Sequence, residues 1–592
     1  MQTETKQCQN CKKDFVIESE DFNFYEKMKV PAPTFCPDCR FQRRMAWRNA
    51  WHIFKKTEER TGKKIFSFFP EESRIKIYDR DFWWSDGWDA MEYGKDYDWQ
   101  RPFFEQIREL MEIVPQPAIS VTNMVNCSYC SNVNNIKNCY LVRASSYSED
   151  SAYLVWDHAS KLCMDSHMTD QCESSYGNVN VLKSFKTLFS VDCGDCTDVV
   201  LSKDCVGCNN CFGCVGLRKK SYCFFNEQLS KEEYEKKLAE VDIRSYKAFS
   251  DVAKKAYNHW KTFPSKYIHG RMNVSVSGDY IFESKNTKNC FRVRECEDVK
   301  YCQNILSPTK DCYDYSNWGD RVELLYECLV CGLENSRLRF CLQCYPGNRE
   351  LEYSIFCQKS SYLFGCVGLK NKQYCIFNKQ FTKEEYEALV PKLRQHMNDM
   401  PYTDVAGRVY RYGEFFPPEF SPFPYQISEA AEFFPYTEAE VKERGLQWYA
   451  IQADSYTPTV KTAEIPDSID EVSESITAQI IECQHNGTCG HECPKAFRVT
   501  ADEVKFCKRL GIPLARLCPN CRQYERLGHR NPSSLWKRHC QCVGVRSENS
   551  IYTNQVKHPH ENEECPNEFE TSYAPDREEI VYCEQCYQAE VA

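Results

Sequence analysis

Cysteine is the residue through which this sequence could do chemistry, with 38 among 592 residues. Two closely spaced pairs, Cys8-x2-Cys11 and Cys36-x2-Cys39, occur near the start. Each pair lets two sulfurs converge from a tight turn, and two pairs supply the four thiolates of a closed structural zinc site. A redox motif needs only one such pair, so the sequence favours zinc over thiol–disulfide exchange.

The same pattern returns near the C-terminus. Cys493 and Cys518 are 25 positions apart, the separation of the two inner cysteines of the first module. The outer spacing is one residue longer here, Cys489-x3-Cys493, so His491 is an alternative ligand to Cys489. The predicted ligands of this second zinc are Cys489, Cys493, Cys518 and Cys521.

The first of these modules resembles a known family. The run CQNCKKDFVIESEDFNFYEKMKVPAPTFCPDCR has the paired CxxC motifs, the E-x-x-F-Y segment and the CPDCR end of the "probable zinc-ribbon" family. The resemblance covers residues 5–46 and, more loosely, 487–528, where Cys507 replaces a tyrosine and the first spacer is longer. That family is a short bacterial and archaeal zinc module without an established activity. The resemblance therefore implies zinc and no catalysis.

A third cysteine-rich segment ends the chain. Cys565 and Cys583-x2-Cys586 lie in a C…F…P.R…VYC..CY pattern that resembles a small zinc ribbon. The usual partner of Cys565 is missing, because position 562 is asparagine. The fourth ligand must come from Cys540, Cys542, His558 or His560, and Cys542 is the predicted one. Together the modules predict two to three structural zinc ions.

The middle of the chain is an internal duplication of residues 121–241 and 272–393. FGCVGLRKKSYC at 212–223 recurs as FGCVGLKNKQYC at 364–375. Within each copy, short units end in Asn, Asp or Lys, then Cys, then an apolar residue, and they are too short for helices. Stacked short strands with a ladder of cysteines in a narrow core, a β-solenoid, fit this pattern. Ser230 with Glu233, and Thr382 with Glu385, predict a capped helix at the end of each copy.

Two metal alternatives exist for the middle cysteines. Cys205-x2-Cys208-x2-Cys211-x2-Cys214 resembles a ferredoxin run, although its last spacing is two residues and no proline follows. The second copy replaces two of these cysteines by Ser360 and Leu363, which favours packing over an iron–sulfur cluster. Extra zinc is the other alternative, with candidate ligands Cys193, Cys196, Cys205 and Cys208, or Cys328, Cys331, Cys341 and Cys344.

The connecting segments are rich in aromatic residues. Phe104, Ile107, Leu110 or Met111, and Val114 follow helical spacing up to Pro115. The segment around them is predicted to pack one domain on another or to stack sugars or bases. A later connector reads as extended, with one short helix between Thr437 and Gly445.

These patterns predict a mainly β protein with two Cys-rich β-solenoid-like repeats, flanking zinc ribbons and short capping helices. The predicted segments are a zinc ribbon (1–46), an aromatic-rich connector with a helix (47–120), repeat copy A (121–241), a connector (242–271), repeat copy B (272–396), a Pro/aromatic then acidic linker (397–480), a second ribbon (481–530) and a ribbon-like module (531–592).

Charge and motifs restrict the function. A net charge of −10 argues against general coating of nucleic acid, but two basic runs leave the ribbons and suit phosphate contacts. The candidate phosphate-binding residues are Arg40, Arg43, Arg44, Arg522 and Arg526. The sequence shows no catalytic motif, and four-thiolate sites leave no open coordination position, which predicts a non-enzymatic protein.

Three functional hypotheses follow. The first is an RNA- or DNA-binding module on a rigid solenoid, the second a protein-interaction scaffold, and the third a Cys-rich redox or metal-cluster protein. The polar start and the absence of an apolar run of roughly 18–20 residues predict a cytoplasmic protein that does not enter a membrane.

Overall fold

The computed structural model describes residues 2–305, 307–449, 456–561 and 563–591. Two compact units divide the chain. The first comprises residues 1–120, 268–450 and 533–535, and the second comprises residues 121–267, 451–532 and 536–592. Residues 450–455 of the predicted linker, and Asn562, lie outside the described residues. The predicted fold class is confirmed: each unit is built on a β-solenoid, and cysteine clusters lie near both ends of the chain.

The solenoid of the second unit is wound from coils of twelve residues. Parallel bridges join Ser128 to Tyr140 and Tyr140 to Ala152, and the same spacing continues along the repeat. Every third residue has a positive φ, for example Asn138 at 52° and Asp150 at 51°. Each coil therefore has four sides of three residues. Asn and Asp tolerate the left-handed region better than other non-glycine residues, which explains why they recur before the cysteines.

The residue after each of these corners points into the coil, where cysteine and serine predominate. Cys163 and Ser160 are both fully buried. The Cys163 thiol donates to the Lys161 carbonyl at 3.3 Å, and its backbone N–H donates to Ser151 Oγ, one coil earlier, at 3.0 Å. Small side chains that satisfy backbone groups suit an interior this narrow. The predicted cysteine ladder is thus confirmed.

The solenoid of the first unit mixes two coil lengths. Lys285 pairs with Glu297 twelve residues later, whereas Thr309 pairs with Val322 thirteen residues later. Large interior side chains such as Tyr315 and Leu338 belong to the longer coils and are fully buried. The solenoid strands of this unit are Gly270–Arg271, Val274–Phe282, Lys285–Arg294, Cys296–Lys300, Gln303–Ile305, Thr309–Tyr313, Val322–Tyr326, Ser336–Arg339, Arg349–Glu352, Ser361–Phe364, Gln373–Ile376 and Lys379–Gln380.

Short elements complete the first unit. Its other strands are Glu4–Gln7, Asp14–Ile17, Phe54–Thr57, Lys64–Ser67, Ile77–Tyr78, Gln116–Pro117, Tyr402–Thr403 and Val409–Tyr410. Its α-helices are Ser19–Met28, Pro37–Met45, Arg80–Trp84, Phe103–Ile113, Lys383–Asp399, Ala430–Phe433 and Glu438–Glu443.

The second unit has fewer long strands, because many of its coil sides form single bridges. Its strands are Val121–Val125, Val133–Lys137, Phe185–Leu188, Thr197–Val200, Asn209–Phe212, Ser221–Phe224, Glu227–Gln228, Pro264–Lys266, Ile481–Glu482, Ala496–Phe497, Trp536–His539, Glu568–Thr571 and Ile580–Tyr582. Its α-helices are Lys231–Ala239, Tyr246–Trp260, Ala501–Leu510, Pro519–Gly528 and Glu584–Val591. None of the helices that the structure describes combines the length and the apolar run needed to cross a membrane.

The predicted helix caps are confirmed. Ser230 and Thr382 each accept a hydrogen bond from the backbone of the glutamate three residues later, and that glutamate bonds back to the cap residue. Such reciprocal caps satisfy N–H groups that the first helical turn leaves free. The cap at Thr437 is confirmed too, although the segment 397–449 contains two short α-helices and two 3₁₀ helices rather than one helix.

The aromatic connector packs on the solenoid of the first unit, as one of its two interpretations predicted. The Phe103 ring lies 5.1 Å from the Tyr353 ring, and Trp83 lies 6.1 Å from Phe356. The later linker is not an extended connector. Its first half buries Phe415 and other aromatic residues in the core of the first unit, and residues 456–480 pack in the second unit.

Candidate metal centres

The first module gathers its four predicted ligands. Cys8 follows the strand Glu4–Gln7, and Cys11 lies three residues before the strand Asp14–Ile17. Cys36 is the N-cap residue of the helix Pro37–Met45, and Cys39 lies in its first turn. The four sulfurs all lie within 4.8 Å of one another. A hairpin and a helix N-terminus therefore present two cysteines each to one point.

Hydrogen bonds in this module favour a thiolate at Cys8. The Cys36 backbone N–H donates to Cys8 Sγ at 3.3 Å, and Asn10 Nδ2 donates to Cys39 Sγ at 3.2 Å. Donation from the Cys36 thiol lowers the pKa of Cys8 far below the usual range of a thiol. The hydrogen bonds of Cys36 with Cys39 and Cys8 raise the pKa of Cys36 above its usual value. The site is therefore only partly deprotonated, and binding of a metal, which takes thiolates, would release the remaining protons.

The second module has the same architecture but a different fourth cysteine. Cys483 follows the strand Ile481–Glu482, and Cys493 lies three residues before the strand Ala496–Phe497. The four-thiol group consists of Cys483, Cys493, Cys518 and Cys521. The Cys518 backbone N–H donates to Cys483 Sγ at 3.3 Å, so Cys483 takes the place that Cys8 has in the first module. The prediction of Cys489 in this group is wrong.

Loop length explains the error. Cys483 and Cys493 are separated by nine residues, where the first module has two. Cys489 lies inside that longer loop, and its three-residue separation from Cys493 is close to the two-residue spacing of a CxxC motif. The structure instead places it in another group, with His485, His491 and Cys521. His491 therefore accompanies Cys489 and does not replace it.

The C-terminal module repeats this arrangement with a still longer loop. Cys540 follows the strand Trp536–His539, and Cys565 lies three residues before the strand Glu568–Thr571. The four-thiol group consists of Cys540, Cys565, Cys583 and Cys586. The Cys583 backbone N–H donates to Cys540 Sγ at 3.2 Å, the contact found in both other modules.

The predicted ligand Cys542 belongs to a different group in this module. The structure places it with His558, His560 and Cys586. The Cys586 thiol is the largest cause that lowers the pKa of Cys542, to about 5. The sequence had left Cys540 and Cys542 open as alternatives, and each has a place in a separate group.

The solenoid cysteines have a different environment. All 38 cysteines are free thiols. Among the described residues, five groups of Cys and His bring their ligand atoms within 4.8 Å of one another, and no solenoid cysteine belongs to them. Burial raises the pKa of Cys130 and that of Cys172 to about 12. Among the candidate zinc ligands, burial is opposed by hydrogen bonds from neighbouring thiols, which lower the pKa of Cys193 to about 5 and that of Cys328 well below its usual value. The geometry favours packing over either metal alternative.

A substitution inside the ladder tests this distinction. Cys205→Ala is expected to lower the free energy of unfolding by about 1 kcal/mol, because it removes one buried atom and leaves a small cavity. The metal content of the purified protein, measured by elemental analysis, should not change. Loss of a metal ion from this variant, or iron in the wild-type protein, would contradict the packing role.

Three of the five arginines predicted to contact phosphate lie in the first unit, where they are buried. Arg40, Arg43 and Arg44 are at most 3% exposed. Arg40 Nε lies 2.7 Å from Asp314 Oδ2, and Arg43 Nη2 lies 2.7 Å from Glu327 Oε1. Buried charges are stable only when paired, so these side chains attach the module to the solenoid and are not available to a nucleic acid.

The second module is attached in the same way. Arg522 and Arg526 are buried, and both contact Asp165, with Arg526 Nη1 3.0 Å from its Oδ1. Arg522 occupies the position of Arg40 after the last cysteine of its module, and Asp165 occupies the position of Asp314 in the duplicated solenoid. The predicted phosphate role of all five arginines is therefore corrected, and the same module–solenoid contact occurs in both units.

Comparisons with known proteins add little to this geometry. No family model matches the chain, and no curated protein matches it. A solved structure described as a candidate acetyltransferase from Desulfovibrio desulfuricans G20 covers 45% of this chain and 71% of its own, at 9% identity and a TM-score of 0.11. That likeness carries no argument about fold or activity, and the zinc-ribbon resemblance stays a prediction. The chain is thus characterised by its own structure, a mainly β protein whose three small modules gather Cys and His groups that could hold metal ions.

Proposed function

We propose that this protein is a non-enzymatic, zinc-stabilised scaffold whose solenoids present fixed surfaces to a protein partner. One observation carries the proposal. The first two modules combine a four-thiol group with buried arginines that form ion pairs with carboxylates of a solenoid. A metal at such a group would fix the helix that bears these arginines. Its role would be structural.

The ligand chemistry supports zinc and argues against catalysis by it. Four cysteine sulfurs in a tetrahedral arrangement select zinc over the harder cations, which prefer oxygen ligands. A closed set of four leaves no position for a reactive water. The residues that would hold the three ions are the three four-thiol groups described above, and the chemistry the ions supply is the cross-linking of a hairpin to a helix.

The exposed solenoid faces support a protein partner. In the second unit, Glu149 lies 3.0 Å from Lys137 and 3.4 Å from Lys161, one coil on either side. In the first unit, Glu297 lies between Lys285 and Lys310 at 3.5 and 3.3 Å. These alternating charges pair with one another and form no basic stripe for a phosphate backbone. Rigid faces with regular spacing are typical of solenoids that bind proteins.

Metal content and nucleic-acid binding together test the proposal. The purified chain should contain at least three zinc ions and no iron, and it should not be retained on DNA or RNA at low salt. Glu149→Lys and Glu297→Lys reverse the charge at the centre of each exposed row of ion pairs. Together they should abolish binding of a specific protein partner. A chain without zinc would overturn the proposal.

A second candidate function has one observation in its favour. The hairpin Phe54–Ser67 exposes Lys55, Lys63 and Lys64, and the exposed Phe66 ring lies 6.0 Å from Lys55 Nζ. Exposed cations beside an exposed aromatic ring can bind single-stranded nucleic acid. The nucleic-acid hypothesis therefore stands with this hairpin, rather than the buried ribbon arginines, as the candidate binding surface.

Substitution of the hairpin lysines tests this second candidate. If the wild-type chain binds RNA or DNA, Lys55→Ala/Lys63→Ala/Lys64→Ala should reduce the salt dependence of log K by about 3, one for each lost phosphate contact. The matched control is Lys137→Ala/Lys161→Ala on the solenoid face, which should leave binding unchanged. Equal effects of both variants would rule out the hairpin as the binding surface.

A further inference from the structure

The second and C-terminal modules each contain seven potential ligands, which is more than one ion can use. In each module, five cysteines and two histidines form two groups of four that share one cysteine. The shared residue is Cys521 in one module and Cys586 in the other, the last cysteine of the CxxC motif in both. Two tetrahedral ions need eight ligand positions, and seven ligands fill them only if one is shared.

We infer that each of these two modules binds a pair of zinc ions bridged by one thiolate, Cys521 or Cys586. The inference rests on the proposed zinc-binding function and adds two ions to the three that the four-thiol groups would hold. A thiolate has the lone pairs to bind two metals at once. The only residue common to both groups of each module is a cysteine, so the thiolate is the bridging ligand.

Distances around the shared sulfurs agree with this arrangement. Tetrahedral zinc with bonds of about 2.3 Å has sulfur–sulfur edges of about 3.8 Å. Cys521 Sγ lies 3.8 Å from Cys483 Sγ in one group and 3.6 Å from Cys489 Sγ in the other. Cys586 Sγ lies 3.7 Å from Cys565 Sγ and 3.4 Å from His560 Nε2. Each shared sulfur is therefore at edge distance from ligands of both groups.

The histidines of the C-terminal module are held as metal ligands usually are. His558 Nδ1 lies 3.4 Å from Cys542 Sγ, while its other nitrogen lies 2.8 Å from a Glu590 carboxylate oxygen. His560 turns Nε2 to the group, and its Nδ1 lies 2.7 Å from the Glu563 carbonyl. A ligating histidine commonly donates its second N–H to a carboxylate or a carbonyl, which fixes the tautomer and the ring.

The histidines of the second module give independent support for a metal ion, because each has a buried ring nitrogen without a hydrogen-bond partner among the described residues. The Nδ1 atoms of His485 and His491 are both buried, and no residue in the described part of the chain forms a hydrogen bond with either. Buried polar atoms without partners are uncommon and need an explanation. A zinc ion in the group that contains both histidines would occupy these nitrogens.

The first module is an internal control. Its hairpin loop has only two residues between Cys8 and Cys11, too short to carry further ligands. Cys39 occupies the position of the shared cysteine, and it accepts a hydrogen bond from Asn10 Nδ2 at 3.2 Å. An amide thus stands where the other modules have a second group. The longer loops of nine and 24 residues bring the extra Cys and two His in both other modules.

Counting zinc in the full chain tests the inference. Native mass spectrometry should find five zinc ions per wild-type chain. His485→Ala/His491→Ala should bind four, His558→Ala/His560→Ala should bind four, and the combination should bind three. Asn10→Ala removes a polar side chain from the loop of the first module, and this variant should retain five zinc ions.

A second measurement tests the shared sulfur directly. When an NMR-active cadmium isotope replaces zinc, scalar coupling between two cadmium nuclei should appear in wild type and disappear for a module whose histidines are removed. Three ions in wild type, unchanged in both histidine variants, would overturn the bridged pairs but leave the proposed function intact. Absence of all zinc would instead overturn the proposed function. Five ions without cadmium coupling would overturn the bridge.

Discussion

Removal of the proposed zinc ions by a chelator is expected to unfold the three modules while both solenoids stay folded. Each module contains a two-stranded hairpin and a helix of eight to ten residues that carries the CxxC motif, and the first two modules add the helices Ser19–Met28 and Ala501–Leu510. Elements this small rarely fold without a metal, and structural zinc supplies about 10–16 kcal/mol in isolated zinc-finger peptides. The solenoids contain none of the ligand groups described, and their coils are joined by continuous backbone bridges.

Hydrogen exchange read by mass spectrometry measures this result region by region. Residues 4–45, 481–528 and 536–591 should lose protection after chelation, whereas residues 128–224 and 285–376 should keep it. Restoring zinc in excess should restore protection and serves as the control. Simultaneous loss of protection in modules and solenoids would show that the metal holds the whole unit together, and unchanged protection everywhere would show that the modules fold without it.

Asp165→Ala is expected to destabilise the second unit by about 3–5 kcal/mol, the cost of leaving a buried charge without its partner. Asp165 is 1% exposed and contacts both Arg522 and Arg526. Arg522 keeps Glu503 at 2.7 Å, whereas Arg526 is left with only its bond to Gln523 among the contacts described here. Asp314→Ala should have a similar effect in the first unit, because Asp314 pairs with Arg40 and Arg44.

Equilibrium denaturation of each variant gives the comparison. The matched control is Glu149→Ala, which removes a carboxylate that also contacts two cations but lies on the exposed face of the same solenoid. Exposed ion pairs contribute little, so this control should unfold close to the wild type. If Asp165→Ala and Glu149→Ala unfold alike, the buried arginines do not attach the module to the solenoid.

The sequence predicts the fold well because the solenoid is encoded locally. Asn or Asp at a corner and Cys immediately after it recur within a few residues. A short stretch of sequence is therefore enough to show which residues form corners and which point inward. The coil lengths of twelve and thirteen residues are not visible in this pattern, since they depend on which distant bridges form. Helix caps such as Ser230 with Glu233 are equally local and were predicted for the same reason.

The metal ligands are predicted only where the chain keeps them close. Cys8 and Cys11 lie three positions apart on one short turn, and the structure groups them with Cys36 and Cys39 as predicted. Cys483 lies ten positions before its partner Cys493, and the nearer Cys489 in the loop competes for the assignment. The arginines fail for a related reason: Arg40 meets Asp314 across 274 positions, and nothing near Arg40 in sequence shows that its charge is already neutralised.

The corner pattern gives the solenoid a phase. Because every third residue points inward, deleting one residue would turn each later interior cysteine into a corner residue, and the error would continue to the end of the repeat. Single-residue changes of length can occur only where a coil absorbs them. In the first unit, pairs of consecutive residues with positive φ, such as Asn317 with Trp318 and Leu333 with Glu334, lie in the thirteen-residue coils. These doubled corners restore the phase, so we expect natural length variation in such a protein to concentrate at them.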